Sequence, residues 1–172
     1  MFLPPLRLVI TALSPLLLLT ACAPAMLMNA GIEQDRFAKR FTAPDDKSLI
    51  YVYIDEPAPN ISKHLVVDGR VAGLVGPSSY LMSNVAPGQH RIGLGHTAED
   101  IIVLDTEQGK TYFITANVSC VDGRSRAQLR LVDESTGRQH VLASSLANIT
   151  LLGRPLLNDK PANDCRLPGG SA

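Results

Sequence analysis

Between Lys47 and Val132 apolar residues recur with a period of two, in short runs separated by turn residues. Residues 48–54 (SLIYVYI) are β-branched and aromatic almost throughout, and Pro57-Ala58-Pro59-Asn60 interrupts them. Residues 64–67 lead into Asp68-Gly69, a two-residue hairpin signal, and 70–75 return. Residues 79–82 read as a short extended piece, and Pro87-Gly88 marks a turn. In 89–95 the alternation puts His90, Ile92 and Leu94 on one side. Residues 100–105 hold a continuous apolar run, which suits a strand covered on both faces. After the turn at 107–110, residues 111–118 place Tyr112, Ile114, Ala116 and Val118 on one face. Asp122-Gly123 offers another turn, and 127–132 set Ala127, Leu129 and Leu131 against Gln128, Arg130 and Val132. Seven or eight short strands at turn intervals of roughly 8–12 residues predict an all-β, antiparallel sandwich. No long amphipathic helix lies between the strands, which argues against βαβ units.

Two flanking stretches carry helical spacing instead. Val141, Leu142, Leu146 and Ile149 recur at helical intervals before Gly153 and Pro155, predicting a short C-terminal helix over 140–152. Phe37 and Phe41 are spaced for one or two helical turns within 34–41, and Thr42-Ala43-Pro44-Asp45-Asp46 ends them. Both phenylalanines are expected to pack on the domain. The resulting division is a leader at 1–21, a tether at 22–46 that lifts the domain off its anchor, a β domain with its helix at 47–153, and a tail at 154–172.

The leader sets the address. Residues 1–21 carry one charge, Arg7, followed by an apolar stretch that Pro15 interrupts before four consecutive leucines. A basic start with an apolar centre is a secretory signal, too broken for a membrane span. Leu19-Thr20-Ala21-Cys22 then resembles the lipobox of bacterial lipoprotein precursors: an aliphatic residue, two small residues and a cysteine. In that class the cysteine thiol receives a diacylglycerol, the chain is cut before it, and the new amino group is acylated. Cys22 is therefore the expected lipidation site, and its acyl chains the expected membrane anchor. Ala23 follows where an inner-membrane retention aspartate would stand, so the outer membrane, facing the periplasm, is the expected location. Removing the leader leaves roughly 150 residues, enough for one domain with a real core.

Of the three cysteines, Cys120 and Cys165 remain after Cys22. An even pair in an oxidising compartment reads as a disulfide, whose loop of about 45 residues would contribute roughly 3–4 kcal/mol in the chain-entropy picture. Free thiols, intermolecular bridging and half of a zinc site are the alternatives, although no further ligand stands near either cysteine. Sixteen basic against sixteen acidic residues argue against nucleic acid as a partner. The absence of Trp, with four Phe and four Tyr, leaves little material for a stacking platform.

Candidate chemistry is sparse. His64, His90, His96 and His140 form no metal motif; His90 and His96 would lie about 20 Å apart on an ideal strand. Ser78, Ser79 and Ser83 stand in turn-like context, outside any nucleophile-elbow pattern. Asp55-Glu56 and Glu99-Asp100 are sequence neighbours, which a strand points to opposite faces. Asn60, Asn117 and Asn148 open glycosylation-type triplets that a bacterial lipobox makes irrelevant. No catalytic residue, cofactor or metal is expected.

With these residues in view, the chain resembles a bacterial lipoprotein family of unknown function, domain of unknown function 2846. The likeness runs over about 41–136. It rests on Phe41 with Pro44, Tyr51-Val52-Tyr53, Val67-Asp68-Gly69-Arg70 with Gly73, Tyr80, Val85-Ala86-Pro87-Gly88-Gln89-His90, Gly109-Lys110-Thr111-Tyr112-Phe113, and Leu131-Val132 with Glu134. Ile54 and Asp55 stand where the family pattern has an arginine. The resemblance implies a lipid-anchored immunoglobulin- or transthyretin-like sandwich and no activity. Three readings follow. The first is a non-catalytic domain binding another envelope component through strand edges and the tips at Asp68-Gly69 and Pro87-Gly88. The second is a small-ligand carrier or enzyme, its pocket between the sheets lined by Tyr51, Tyr53, Tyr80 and Tyr112. The third is a structural subunit of an envelope assembly.

Overall fold

The computed structural model describes residues 23–55, 61–95, 101–147 and Cys165, with the side chains of the first helix from Gly31 onward. Its elements run α1 (Ala23–Ala38), β1 (Ser48–Ile54), β2 (Lys63–Val67), β3 (Arg70–Val75), β4 (Ser79–Val85), β5 (Gly88–Leu94), β6 (Ile101–Thr106), β7 (Thr111–Val121), β8 (Arg124–Val132), α2 (Glu134–Ala143) and β9 (Ser145–Leu146). The larger sheet has the order β8-β7-β1-β4-β9 and the smaller one β3-β2-β5-β6. The two sheets share an apolar interior built from Ile50, Val52, Leu65, Leu81, Ile92 and Ile114 among others. The fold is mostly β and sandwich-like.

The hairpins form where the alternation and turn residues place them. Asp68 and Gly69 take positive φ values of 50° and 79°, and Asp122 and Gly123 take 50° and 72°. Two consecutive left-handed residues match the twist of a two-residue hairpin, and an Asp-Gly pair adopts them at low cost. Strand direction differs from the expectation. The smaller sheet is antiparallel throughout, but β1 pairs parallel with β7, and β4 pairs parallel with β9. The larger sheet is therefore mixed. β4 returns antiparallel beside β1, and β7 enters on the other side of β1 after the β5–β6 hairpin has been made in the smaller sheet. Side-chain periodicity carries no information on direction. With β9 included, the strands among the described residues number nine rather than seven or eight.

The strand covered on both faces is β1, not the 100–105 run. Every residue of β1 is buried. Ile50, Val52 and Ile54 enter the interior between the sheets, while Leu49, Tyr51 and Tyr53 face a second apolar layer under the helices. β6 is an edge strand of the smaller sheet. Its Leu104 and Thr106 point inward, whereas Ile101 and Val103 on the other face are 36% and 51% exposed. An unbroken apolar run marks burial on both faces only when something covers the second one.

Both helices also depart from their predicted bounds. The tether region is helical from Ala23 to Ala38, and at its C-terminal end Ala38 and the following Phe41 are buried in the second layer. That end of the predicted 22–46 tether packs on the domain. Phe41 packs as expected, but Phe37 is 59% exposed. The C-terminal helix occupies Glu134–Ala143, starting six residues before the predicted 140 and ending at 143; 148–152 of the predicted span, with Ile149, lie outside the described residues. Asp133 caps it, its carboxylate accepting from the Thr136 N–H at 2.9 Å. Leu142 is 58% exposed, and Leu146 belongs to β9, so only part of the expected stripe lies on the helix. The helix rests on the sheet through Gly137 and Val141. A Cβ at Gly137 would fall 2.1 Å from Phe113 Cγ.

That contact reverses the usual effect of replacing a helical glycine. Gly137→Ala gains helix propensity of about 1 kcal/mol, yet overpacks the Phe113 ring, which costs about 1–3 kcal/mol or more. Urea denaturation should show net destabilisation, while Gly31→Ala, whose Cβ meets nothing within 4 Å, should be neutral or stabilising.

Candidate functional site

The outer face of the larger sheet carries an aromatic layer that the helices close. Tyr51 and Phe113 stack with centroids 5.2 Å apart, and Phe41 lies 5.4 Å from Tyr51 and 5.8 Å from Phe113. Arg138 of α2 sits over the Phe41 ring at 4.7 Å. The phenols then need partners, because a buried hydroxyl without a hydrogen bond is costly. Tyr51 Oη donates at 2.6 Å to the Ala38 carbonyl at the end of α1, which also accepts from the Phe41 N–H at 3.2 Å. Burial pushes the Tyr51 phenol up to about 12. Tyr80 Oη donates to Asp35 Oδ1 at 2.9 Å, and burial together with that carboxylate raises its pKa as well. Both phenols therefore stay neutral donors.

Asp35 joins three elements. It accepts from Tyr80 of β4, from the Leu146 N–H of β9 at 2.8 Å, and from Lys39 at 2.8 Å. Lys39 also donates to the Ser144 carbonyl at 2.7 Å. Burial alone would raise the Asp35 carboxyl, but its bonds to Lys39, Leu146 and Tyr80 outweigh burial and hold it below its ordinary value. Beside this latch, Glu33, Gln34, Phe37, Met82 and Leu146 line a groove of about 300 Å³. It is apolar and open to solvent, with two polar side chains of α1 among its lining, and its volume is at the lower end for a small-molecule site.

The tyrosines expected between the sheets are divided differently. Tyr51, Tyr53 and Tyr80 lie in the aromatic layer on the opposite face of the larger sheet. Tyr112 packs against the interior and accepts at its hydroxyl from the Glu107 N–H at 2.9 Å. A tyrosine-lined pocket between the sheets is thus not what these four residues build.

The other candidates are dispersed. His140 stacks on Tyr53 with centroids 4.8 Å apart, and His64 lies on β2 opposite Leu74. Ser79 Oγ bonds the Gly76 backbone, the turn-capping role expected of it. Asp55 pairs with Arg130 at 2.9 Å. His90 forms a carboxylate–imidazole pair with Asp68, Nδ1 to Oδ2 at 2.7 Å. Its Nε2, however, lies 2.7 Å from the Ala86 carbonyl and so is engaged by a main-chain acceptor, not by a nucleophile. No group of three or more His, Cys, Asp or Glu is set to hold a metal among the described residues. Cys120 and Cys165 stand at disulfide distance, with Cα atoms 5.6 Å apart and a sequence separation of 45. Leu19, Thr20, Ala21, Cys22, His96, Glu56, Glu99 and Asp100 lie outside the described residues.

Asp35 and the Asp68–His90 pair are the polar centres that sequence reasoning missed. The Asp35–Lys39 spacing of four was a legible helical ion pair, but nothing local announces Tyr80 or Leu146 as its partners. No family model matches the chain, and no curated protein matches it.

The latch makes a pH-dependent contribution to stability. The depressed Asp35 carboxyl contributes above its unfolded pKa, and the contribution is lost as pH falls through its folded value. Asp35→Ala, which orphans the Tyr80 hydroxyl and the Leu146 N–H, should cost about 2–3 kcal/mol near neutrality. The difference from wild type should shrink in acid unfolding curves.

Proposed function

We propose that the chain is a lipid-anchored envelope protein with a non-catalytic, immunoglobulin- or transthyretin-like sandwich that binds another envelope component. One observation carries the reading: Leu19-Thr20-Ala21-Cys22 closes a leader with a single charge. The likeness to domain of unknown function 2846 supports it through the residues quoted above. Diacylglycerol on Cys22, followed by amino acylation, would give an anchor of three chains, more than stable attachment needs. Placement at the outer membrane follows from Ala23 in the position after the anchor. Among the described residues no helix is long and apolar enough to cross a membrane.

The contact places we favour are the tips at Asp68-Gly69 and Pro87-Gly88. Both lie at one end of the smaller sheet, where Asp68 of the first turn bonds His90 just beyond the second. A second reading, a small-ligand carrier, is supported by the apolar groove beside α1, which Phe37, Met82 and Leu146 help to line.

Fractionation tests the anchor. Wild-type protein should be recovered with membranes and incorporate labelled palmitate, and Cys22→Ser should move to the soluble fraction without label. Intact-mass analysis finding an unmodified start at residue 1 or 22 in wild type would overturn the placement. In-cell crosslinking from positions 68 and 87 should capture one reproducible envelope partner; recovery of none would sink the binding role.

A further inference from the structure

His90 sits where two turns meet. The β2–β3 turn supplies the Asp68 carboxylate, and the β4–β5 connection supplies the Ala86 carbonyl; each lies 2.7 Å from a different nitrogen of the His90 ring. The His90 side chain is only 12% exposed, so water does not readily replace either contact. Asp68 and Arg91 are doubly tied: Asp68 Oδ1 accepts from the Arg91 N–H at 2.9 Å, and the Asp68 N–H donates to the Arg91 carbonyl at 2.9 Å. Thr106 of β6 adds a hydroxyl to the Ala86 and Gly88 carbonyls at 3.2 and 3.1 Å.

A neutral imidazole has one N–H. Here both nitrogens face oxygen acceptors, neither of which can donate while Asp68 is ionised. Only the imidazolium satisfies both contacts at once. We infer that His90 is a pH-dependent clamp between the β2–β3 and β4–β5 turns, closed while the ring carries both protons and loosened when one leaves. The Nδ1–H keeps its carboxylate partner, so the proton lost is the one on Nε2. A lone pair then faces the Ala86 carbonyl, and the 86–88 connection is pushed away while Thr106 still holds it.

The charged surroundings agree with this sign. Burial alone would depress the ring, but the Asp68 bond and charge and the Ala86 carbonyl outweigh it and raise His90 above its ordinary value. Arg91 and Asp105 flank it on β5 and β6 but belong to the opposite face, since His90 pairs with Leu104 while they pair with Val103 and Gln89. Arg70 at the start of β3 pairs with Val67, which in turn pairs with Ile92 on the His90 face. The clamp's stabilisation is complete below the unfolded histidine pKa and disappears as pH rises through the folded one. The inference stands on geometry alone. Only its use, a contact end that stiffens or loosens with the medium, rests on the envelope reading, which fractionation tests separately.

The test is an NMR titration of the purified protein with labelled histidine, His90 being assigned by its loss in His90→Gln. The His90 midpoint should lie above the ordinary imidazole value, with both nitrogens protonated below it. Asp68→Asn should lower that midpoint. Above the midpoint the ring should be the Nδ1–H tautomer, and the carbonyl carbon shift of Ala86, which loses its imidazole donor, should move with the same midpoint, while that of Ile114 should not change. A midpoint at or below the ordinary value, or an Ala86 carbonyl indifferent to the His90 titration, overturns the clamp, and both readouts use the unsubstituted protein.

Discussion

A sheet with apolar residues on both faces cannot stop at two layers. β1 presents Ile50, Val52 and Ile54 to one side and Leu49, Tyr51 and Tyr53 to the other. The smaller sheet covers the first side, so the second requires another cover. α1, Phe41 and α2 supply it, and the phenols within it convert apolar packing into a specific seat: Tyr51 can bond only where the end of α1 offers a carbonyl. Asp35 sets the seat from the other direction by collecting donors from β4, β9 and Lys39 just beyond α1. Both helices and the shortest strand owe their positions to this demand.

The same arrangement separates architecture from chemistry. The polar side chains that meet at short distance tie elements together: Asp35 to β4 and β9, Asp55 to Arg130, His90 to two turns. Cys120 and Cys165 bring the end of β7 to a point far along the chain. These ties fix the elements relative to one another and leave turns and edges at the surface.

What the sequence made legible follows from how local each cause is. Both Asp-Gly hairpins were readable because the turn chemistry sits in the turn itself, and the inward residues of β5 and β7 were readable because period two is a property of one strand. The parallel β1–β7 pair was not, since direction is decided by the order in which strands are added. The bounds of α2 were lost because its contact with the sheet is made by Gly137, a residue that contributes no apolar signal, and Val141. The outer face of β6 was misread because, unlike that of β1, it meets no cover among the described residues. Asp35 and His90 draw their partners from 45 and 22 residues away, beyond any local pattern.

The first helix also limits reach. It spans Ala23–Ala38, 16 residues, or about 24 Å of rod, and its far end is built into the domain. If Cys22 carries the lipid, the leash is short and stiff rather than slack. The domain would patrol a thin shell next to the bilayer, and anything it engages would have to come within that shell.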